Sequence, residues 1–230
     1  MSTGKKKIFF NALTSEDELH LIKKFKDEGW DCYLSATKSV ALKAMVLVGR
    51  DKVNAYPLTQ EDNVLLTKGI QFDAIVHLSP DVNLRATTTA TQTEWIRIVE
   101  TYIQSYQQFV HSYKTVLKPK NSALVLVGPY LLVNDTLTEE QQEAISVGLD
   151  AVLKMWAREL GINGVRINTV HPGFMSFHLN VGVDPNFIKR IPLQRLGTFD
   201  DLFQTLQFLV SDNANYLTGN NLYLNGGYTA

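Results

Sequence analysis

Between Gly4 and Gly29 the sequence has no glycine, and its 230 residues include a single cysteine. That cysteine, Cys32, excludes an intramolecular disulfide, which fits a reducing compartment. No run approaches the roughly 20 apolar residues needed to span a bilayer. A formal net charge of −1 leaves no electrostatic footprint for nucleic acid or an anionic membrane. The five histidines and Cys32 show neither His-x-x-x-His nor Cys-x-x-Cys spacing, which argues against a structural metal. A composition of 45% hydrophobic and 20% charged residues is that of an ordinary globular protein, for which a cytoplasmic location is the expectation. Lys5-Lys-Lys7 leads into an apolar run too short for a signal sequence, so it reads as the approach to a first strand.

What is present is an alternation of strand-like and helix-like segments. This predicts an α/β fold, a Rossmann-like doubly wound parallel sheet of about seven strands with helices on both faces. The expected strands are Ile8–Ala12, Asp31–Ser35, Phe72–Leu78, Ser122–Val127, Val165–Val170 and Asn221–Leu224. A further strand falls on either Ala44–Val48 or Val53–Leu58. A helix from about Glu16 ends at Gly29. A longer one runs from near Thr93 to about Leu117, roughly 36 Å at 1.5 Å per residue, with an apolar stripe at Ile96, Val99, Ile103, Tyr106, Val110 and Tyr113. Thr138-Glu-Glu-Gln141 is a capping box for a helix with the stripe Ile145, Leu149, Val152, Leu153, Trp156 and Leu160. Thr198 caps a last helix through about Val210. No linker, repeat or low-complexity tract divides residues 1–230, so one domain is expected.

The organising stretch is Arg158-Glu-Leu-Gly-Ile-Asn-Gly-Val-Arg-Ile-Asn-Thr-Val-His-Pro-Gly173. It reads as a helix ended by a left-handed Gly161, a tight turn, a buried strand and a Pro-Gly corner. Together with Arg195-Leu-Gly-Thr198 and the tail Tyr216–Ala230, it resembles the short-chain dehydrogenase/reductase family. The resemblance is strong from about residue 143 onward and topological before that. It implies a nucleotide-binding turn, Thr-Gly-x-x-x-Gly-x-Gly, after the first strand, where glycines let backbone N–H groups approach a pyrophosphate. Counted from Gly29, the three glycine positions fall on Ala12, Glu16 and Glu18. Ser15-Glu-Asp-Glu18 reads instead as a surface helix start, capped by Ser15 with Glu18 completing a capping box. At ~5 Å and an effective dielectric of 20, each carboxylate–phosphate pair costs on the order of 3 kcal/mol. No NAD(P) cofactor is therefore expected.

The resemblance also implies an Asn-Ser-Tyr-Lys tetrad. Its Tyr and Lys positions fall on Gln142 and Ser146, its Ser position on Pro129 and its Asn position on Tyr102, so ordinary hydride transfer is not expected. The polar residues placed nearest the crevice at the strand ends are Tyr130, Tyr102, His171, Gln142 and His77. Each also has a plain reading: Tyr102 as core or interface, His171 and His77 as strand-end histidines. Residues 174–197 cover the substrate in relatives, and Phe174, Phe177 and Phe187 either line an apolar pocket or fill the place of a nicotinamide. Two functions stay open, and a third, an atypical NAD(P)-dependent oxidoreductase with a rearranged tetrad, only if nucleotide binds. One is a non-catalytic binding or partner subunit, a homo-oligomer (dimer or tetramer) or a heteromer with a paralogue. The other is a cofactor-independent isomerase, lyase, dehydratase or cyclase acting on a small organic molecule.

Overall fold

In β1 (Lys7–Leu13) the pleat sends Ile8 and Phe10 to one side and Phe9 to the other, and all three are fully buried. A strand apolar on both faces belongs inside a sheet covered twice. The computed structural model, which describes residues 5–56, 69–78, 92–128, 139–178 and 188–228, places it there. With β2 (Asp31–Thr37), β3 (Val53–Tyr56), β4 (Ala74–His77), β5 (Ser122–Val127), β6 (Val165–Pro172) and β7 (Asn221–Leu224), it forms a wholly parallel sheet in the order β3-β2-β1-β4-β5-β6-β7. The order reverses between β1 and β4, and the crevice beyond such a reversal is where open α/β sheets bind ligands. The Rossmann-like expectation holds.

On one face, α1 (Glu18–Asp27), α2 (Lys38–Val48) and α5 (Phe199–Val210) bury Leu21, Ile22, Phe25, Val40, Ala44, Leu202 and Leu206 against Ile8, Phe10, Val76 and Val125. On the other, α3 (Gln92–Tyr113) and α4 (Glu139–Gly161) bury Tyr106, Tyr113, Ile145, Leu149 and Trp156 against Phe9, Ile75, Leu124 and Ile167. The α4 stripe is the expected one. That of α3 holds at Val99, Ile103, Tyr106, Val110 and Tyr113, whereas Ile96 is about half exposed and Ile98, Tyr102 and Phe109 join the buried face.

The third strand is Val53–Tyr56, whereas Ala44–Val48 belongs to α2. Gly161 stays helical, and the left-handed residue is Gly164, φ +71°, where an added Cβ would lie 2.9 Å from the Lys120 Cα. Thr198 caps α5 as expected: its side chain accepts the Asp201 N–H, and the Asp201 carboxylate accepts the Thr198 N–H. Thr138 lies outside the described residues. Among the described residues no helix is long and apolar enough to cross a membrane.

Candidate functional site

At the carboxyl end of β1 the backbone turns left-handed at Ala12, φ 68°, in a fully buried position. The count from Gly29 expects the first of the three glycines here, and an alanine holds a conformation that glycine adopts without strain. The Ala12 N–H donates to Ser35 Oγ at 3.0 Å, and that hydroxyl donates to Asn11 Oδ1 at 2.7 Å. The Asn11 amide nitrogen, which has only protons to give, donates to His77 Nδ1 at 3.0 Å. The His77 proton therefore sits on Nε2, a buried atom without a partner. A polar chain thus crosses the ends of β2, β1 and β4. His77 stacks on Phe109 at 3.9 Å between ring centroids, and burial pushes its pKa down to about 3.

The next turn carries Glu18, on which the same count placed the third glycine. One carboxylate oxygen, Oε2, accepts the N–H of Thr14 at 2.7 Å and that of Ser15 at 3.0 Å. Ser15 Oγ accepts the Asp17 N–H at 3.0 Å. Only half of the expected capping box forms: Glu18 accepts the Ser15 N–H, but Ser15 Oγ takes the Asp17 N–H, the N-cap of α1 is Asp17 without a side-chain cap, and Glu18 is not on the surface. It is 4% exposed, and burial raises its pKa to about 7 against the opposing pull of the two N–H groups. Glu16 is exposed and ion-paired with Lys43. Of the three carboxylates in this turn, Glu18 occupies the Thr14 and Ser15 N–H groups.

A second cluster lies at the ends of β5 and β6. His171, on β6, places Nδ1 3.1 Å from Ser146 Oγ on α4, the residue on which the resemblance was counted to place the lysine. Gly128, just past β5, makes room for the ring: a Cβ there would lie 2.5 Å from Nδ1. Tyr223 of β7 stacks on the imidazole at 5.2 Å, and burial lowers the His171 pKa to about 4. Its Nε2 makes no hydrogen bond, although the nearby Asn221 side chain favours the protonated ring.

Of the other predicted residues, Tyr102 is 5% exposed within the α3–α4 core, so it is core first. Tyr130, Pro129 and Phe187 lie outside the described residues, as does the Gln142 side chain on α4. Phe174 meets Tyr228 edge-on, and Phe177 stacks on Phe199 at 3.6 Å. A cleft of about 60 Å³ beside Phe174 is lined by Arg195, Asp201 and Asn225, and a larger one of about 270 Å³ opens near Lys114 and Glu159, by the amino end of β6. Cys32 is buried, with its pKa raised to about 12 by burial. Among the described residues no three His, Cys, Asp or Glu side chains gather where they would hold a metal. The sequence reading missed Glu18 as a buried ligand of its own turn, Asn11 and Ser35 as buried partners of His77, and Ser146 as the buried partner of His171. Glu18 had one legible signal, the three-residue spacing from Ser15.

Residues 65–229 match the family model described as enoyl-(acyl carrier protein) reductase. The chain belongs to the short-chain dehydrogenase/reductase family. Among curated proteins, the 3-oxoacyl-[acyl-carrier-protein] reductases FabG of Staphylococcus epidermidis and of Escherichia coli are each 27% identical to it over 139 residues. The alignment takes in 58% of this chain and spans 57% of those relatives' length. Among solved structures, a short-chain dehydrogenase/reductase from Serratia marcescens superposes with a TM-score of 0.78 at 17% identity, covering 98% of both chains. BdcA in complex with NADPH gives 0.77 at 14% identity, covering 96% of this chain and 93% of its own. At those identities the structural likeness carries the fold alone. The family match begins beyond the β1–α1 turn, so the segment bearing Ala12 and Glu18 lies outside it.

Proposed function

We propose that this protein is a short-chain-reductase fold that no longer binds NAD(P) or transfers hydride, and that it works as a non-catalytic binding or partner subunit. The observation that carries the reading is the Glu18 carboxylate on the Thr14 and Ser15 N–H groups. An incoming pyrophosphate would have to evict it, at about 1.5–3 kcal/mol per charge-assisted hydrogen bond. That is a large part of the roughly 8 kcal/mol of a micromolar complex. Ser146 at the counted lysine position, hydrogen-bonded to His171, supports the same reading, because a hydroxyl there supplies no fixed positive charge. Assembly is supported by apolar side chains left exposed on the outer faces of α3 and α4: Ile96, Val147 and Met155. The expected assembly is a homodimer or homotetramer, or a heteromer with a paralogue of the reductase type named among its relatives.

Two measurements test this. Calorimetric titration with NADPH and NADH is expected to give no micromolar binding, although BdcA holds NADPH on the same fold. Light scattering, with co-purification from the native cell, is expected to give an oligomer. Micromolar nucleotide binding, or a strict monomer without a partner, overturns the proposal. A second reading, a cofactor-independent enzyme acting on a small organic molecule, is favoured by one observation, the buried Ser146–His171 pair.

A further inference from the structure

The Ser146–His171 pair is a built arrangement. Its members lie 25 residues apart on different elements and meet at 3.1 Å where the carboxyl ends of β5, β6 and β7 converge. Gly128 leaves the space the imidazole needs, Tyr223 fixes its plane, and Asn221 stands beside it, its own side chain held by Thr169. A hydroxyl with an imidazole within hydrogen-bond reach is the core of an activated nucleophile, here with the far nitrogen, Nε2, held by no partner. Both members are more than nine-tenths buried. Resting on the second reading above, we propose that Ser146 is a nucleophile that accepts acyl groups from small activated esters, with His171 as its general base.

The step balances without oxidant or cofactor. Ser146 Oγ bonds to the ester carbonyl carbon as its proton passes to His171 Nδ1. The tetrahedral adduct collapses by breaking the bond to the alcohol oxygen, which leaves with that proton. Water then cleaves the acyl-serine, releasing the carboxylic acid and restoring the hydroxyl. His171 is already in its accepting, neutral form from about pH 5 upward, because burial holds its pKa near 4. Asp150 and Glu143, the acidic groups whose fields reach this corner, leave it neutral there. A base that weak limits the gain to the low end of general-base catalysis, about 10²-fold.

The test is incubation of the full chain with p-nitrophenyl acetate, reading the acetyl adduct by peptide mass spectrometry. Ser146 is expected to be acetylated at a rate that stays level between about pH 5 and 8, whereas surface lysines label faster as pH rises. In His171→Gln, checked for fold by circular dichroism, the Ser146 rate should fall at least about tenfold. No acetyl group on Ser146, a rate that climbs with pH as at the lysines, or an unchanged rate in folded His171→Gln overturns the proposal. NADPH binding in the separate titration would remove the partner-subunit reading and leave this result standing.

Discussion

The Glu18 carboxylate reaches back to the backbone N–H of Thr14 at 2.7 Å, closing the turn between β1 and α1 from within. Its pKa is raised from 4.5 to about 7 by burial, so the folded state binds its proton more tightly than the unfolded chain does. The stability this contributes is complete below pH 4.5 and is lost as pH rises through 7, about 3 kcal/mol in all. Glu18→Gln keeps an oxygen acceptor for both N–H groups and removes the titration. Urea melts at pH 8 are expected to show the variant more stable than wild type by about 1–3 kcal/mol, with the gap closing at pH 5. Equal wild-type and variant stability at both pH values would refute the assignment.

Ala12 holds φ 68°, which costs an L-residue about 1–2 kcal/mol. Ala12→Gly relieves that strain, but it loses a buried methyl group and loosens the unfolded chain, each worth about 0.5–1 kcal/mol. The terms cancel to within about 1 kcal/mol, so the substitution is expected to be close to neutral. Ala36→Gly on β2 is equally buried but starts from ordinary backbone, and it should cost about 1–2 kcal/mol. Denaturant melts of the two variants check the contrast; equal losses would mean that the Ala12 backbone is unstrained.

The frame of the fold was legible because its signals are local. Ser122–Val127 and Asn221–Leu224 stand where the apolar runs put them, and Thr198 with Asp201 caps α5 as its spacing requires. Ala44–Val48 was ambiguous for a physical reason: a five-residue apolar run suits a buried strand or one side of a helix equally. Its neighbours Val40 and Ala41, buried with Ala44 against the sheet, decide for the helix. Glu18 shows where pattern reading stops. The spacing from Ser15 gave the hydrogen bond correctly, but a carboxylate three residues after a cap is normally solvated. Its burial follows from α1 packing against α5 and the sheet, which no local signal carries. The Ser146–His171 contact joins residues 25 apart through the sheet register, and Tyr102 was read near the crevice although its side chain belongs to the core.

On the acid side the signs reverse. His77 and His171 are held neutral by burial, with pKa values near 3 and 4 against 6.5 for a free histidine. The stability each contributes is present above pH 6.5 and is lost as pH falls toward its folded value, about 3–5 kcal/mol per residue if fully expressed. Together with Glu18 this broadens the stability maximum into a plateau from about pH 6.5 upward, where the loss at the one carboxylate is offset by the gain remaining at the two histidines, and only the acid limb is steep. Urea melts from pH 4.5 to 8 should trace that maximum, and imidazole NMR resonances of both histidines should not titrate above pH 5. A His77 resonance titrating near 6.5 would show that its ring meets solvent.

Gly128 and His171 share one small volume, since a methyl group on the glycine would stand 2.5 Å from the imidazole Nδ1. Neither side yields easily: Gly128 donates its N–H to the Val170 carbonyl at 2.7 Å, and the imidazole is pinned by Ser146 and Tyr223. Gly128→Ala is therefore expected to destabilise by about 1–3 kcal/mol through overpacking. His171→Ala removes the clash along with the ring, so the double variant should be more stable than the sum of the two single losses predicts. A positive coupling of about 1 kcal/mol or more is the expected reading of the cycle. Additive losses would mean that the glycine is there for its backbone and that the imidazole is free to move.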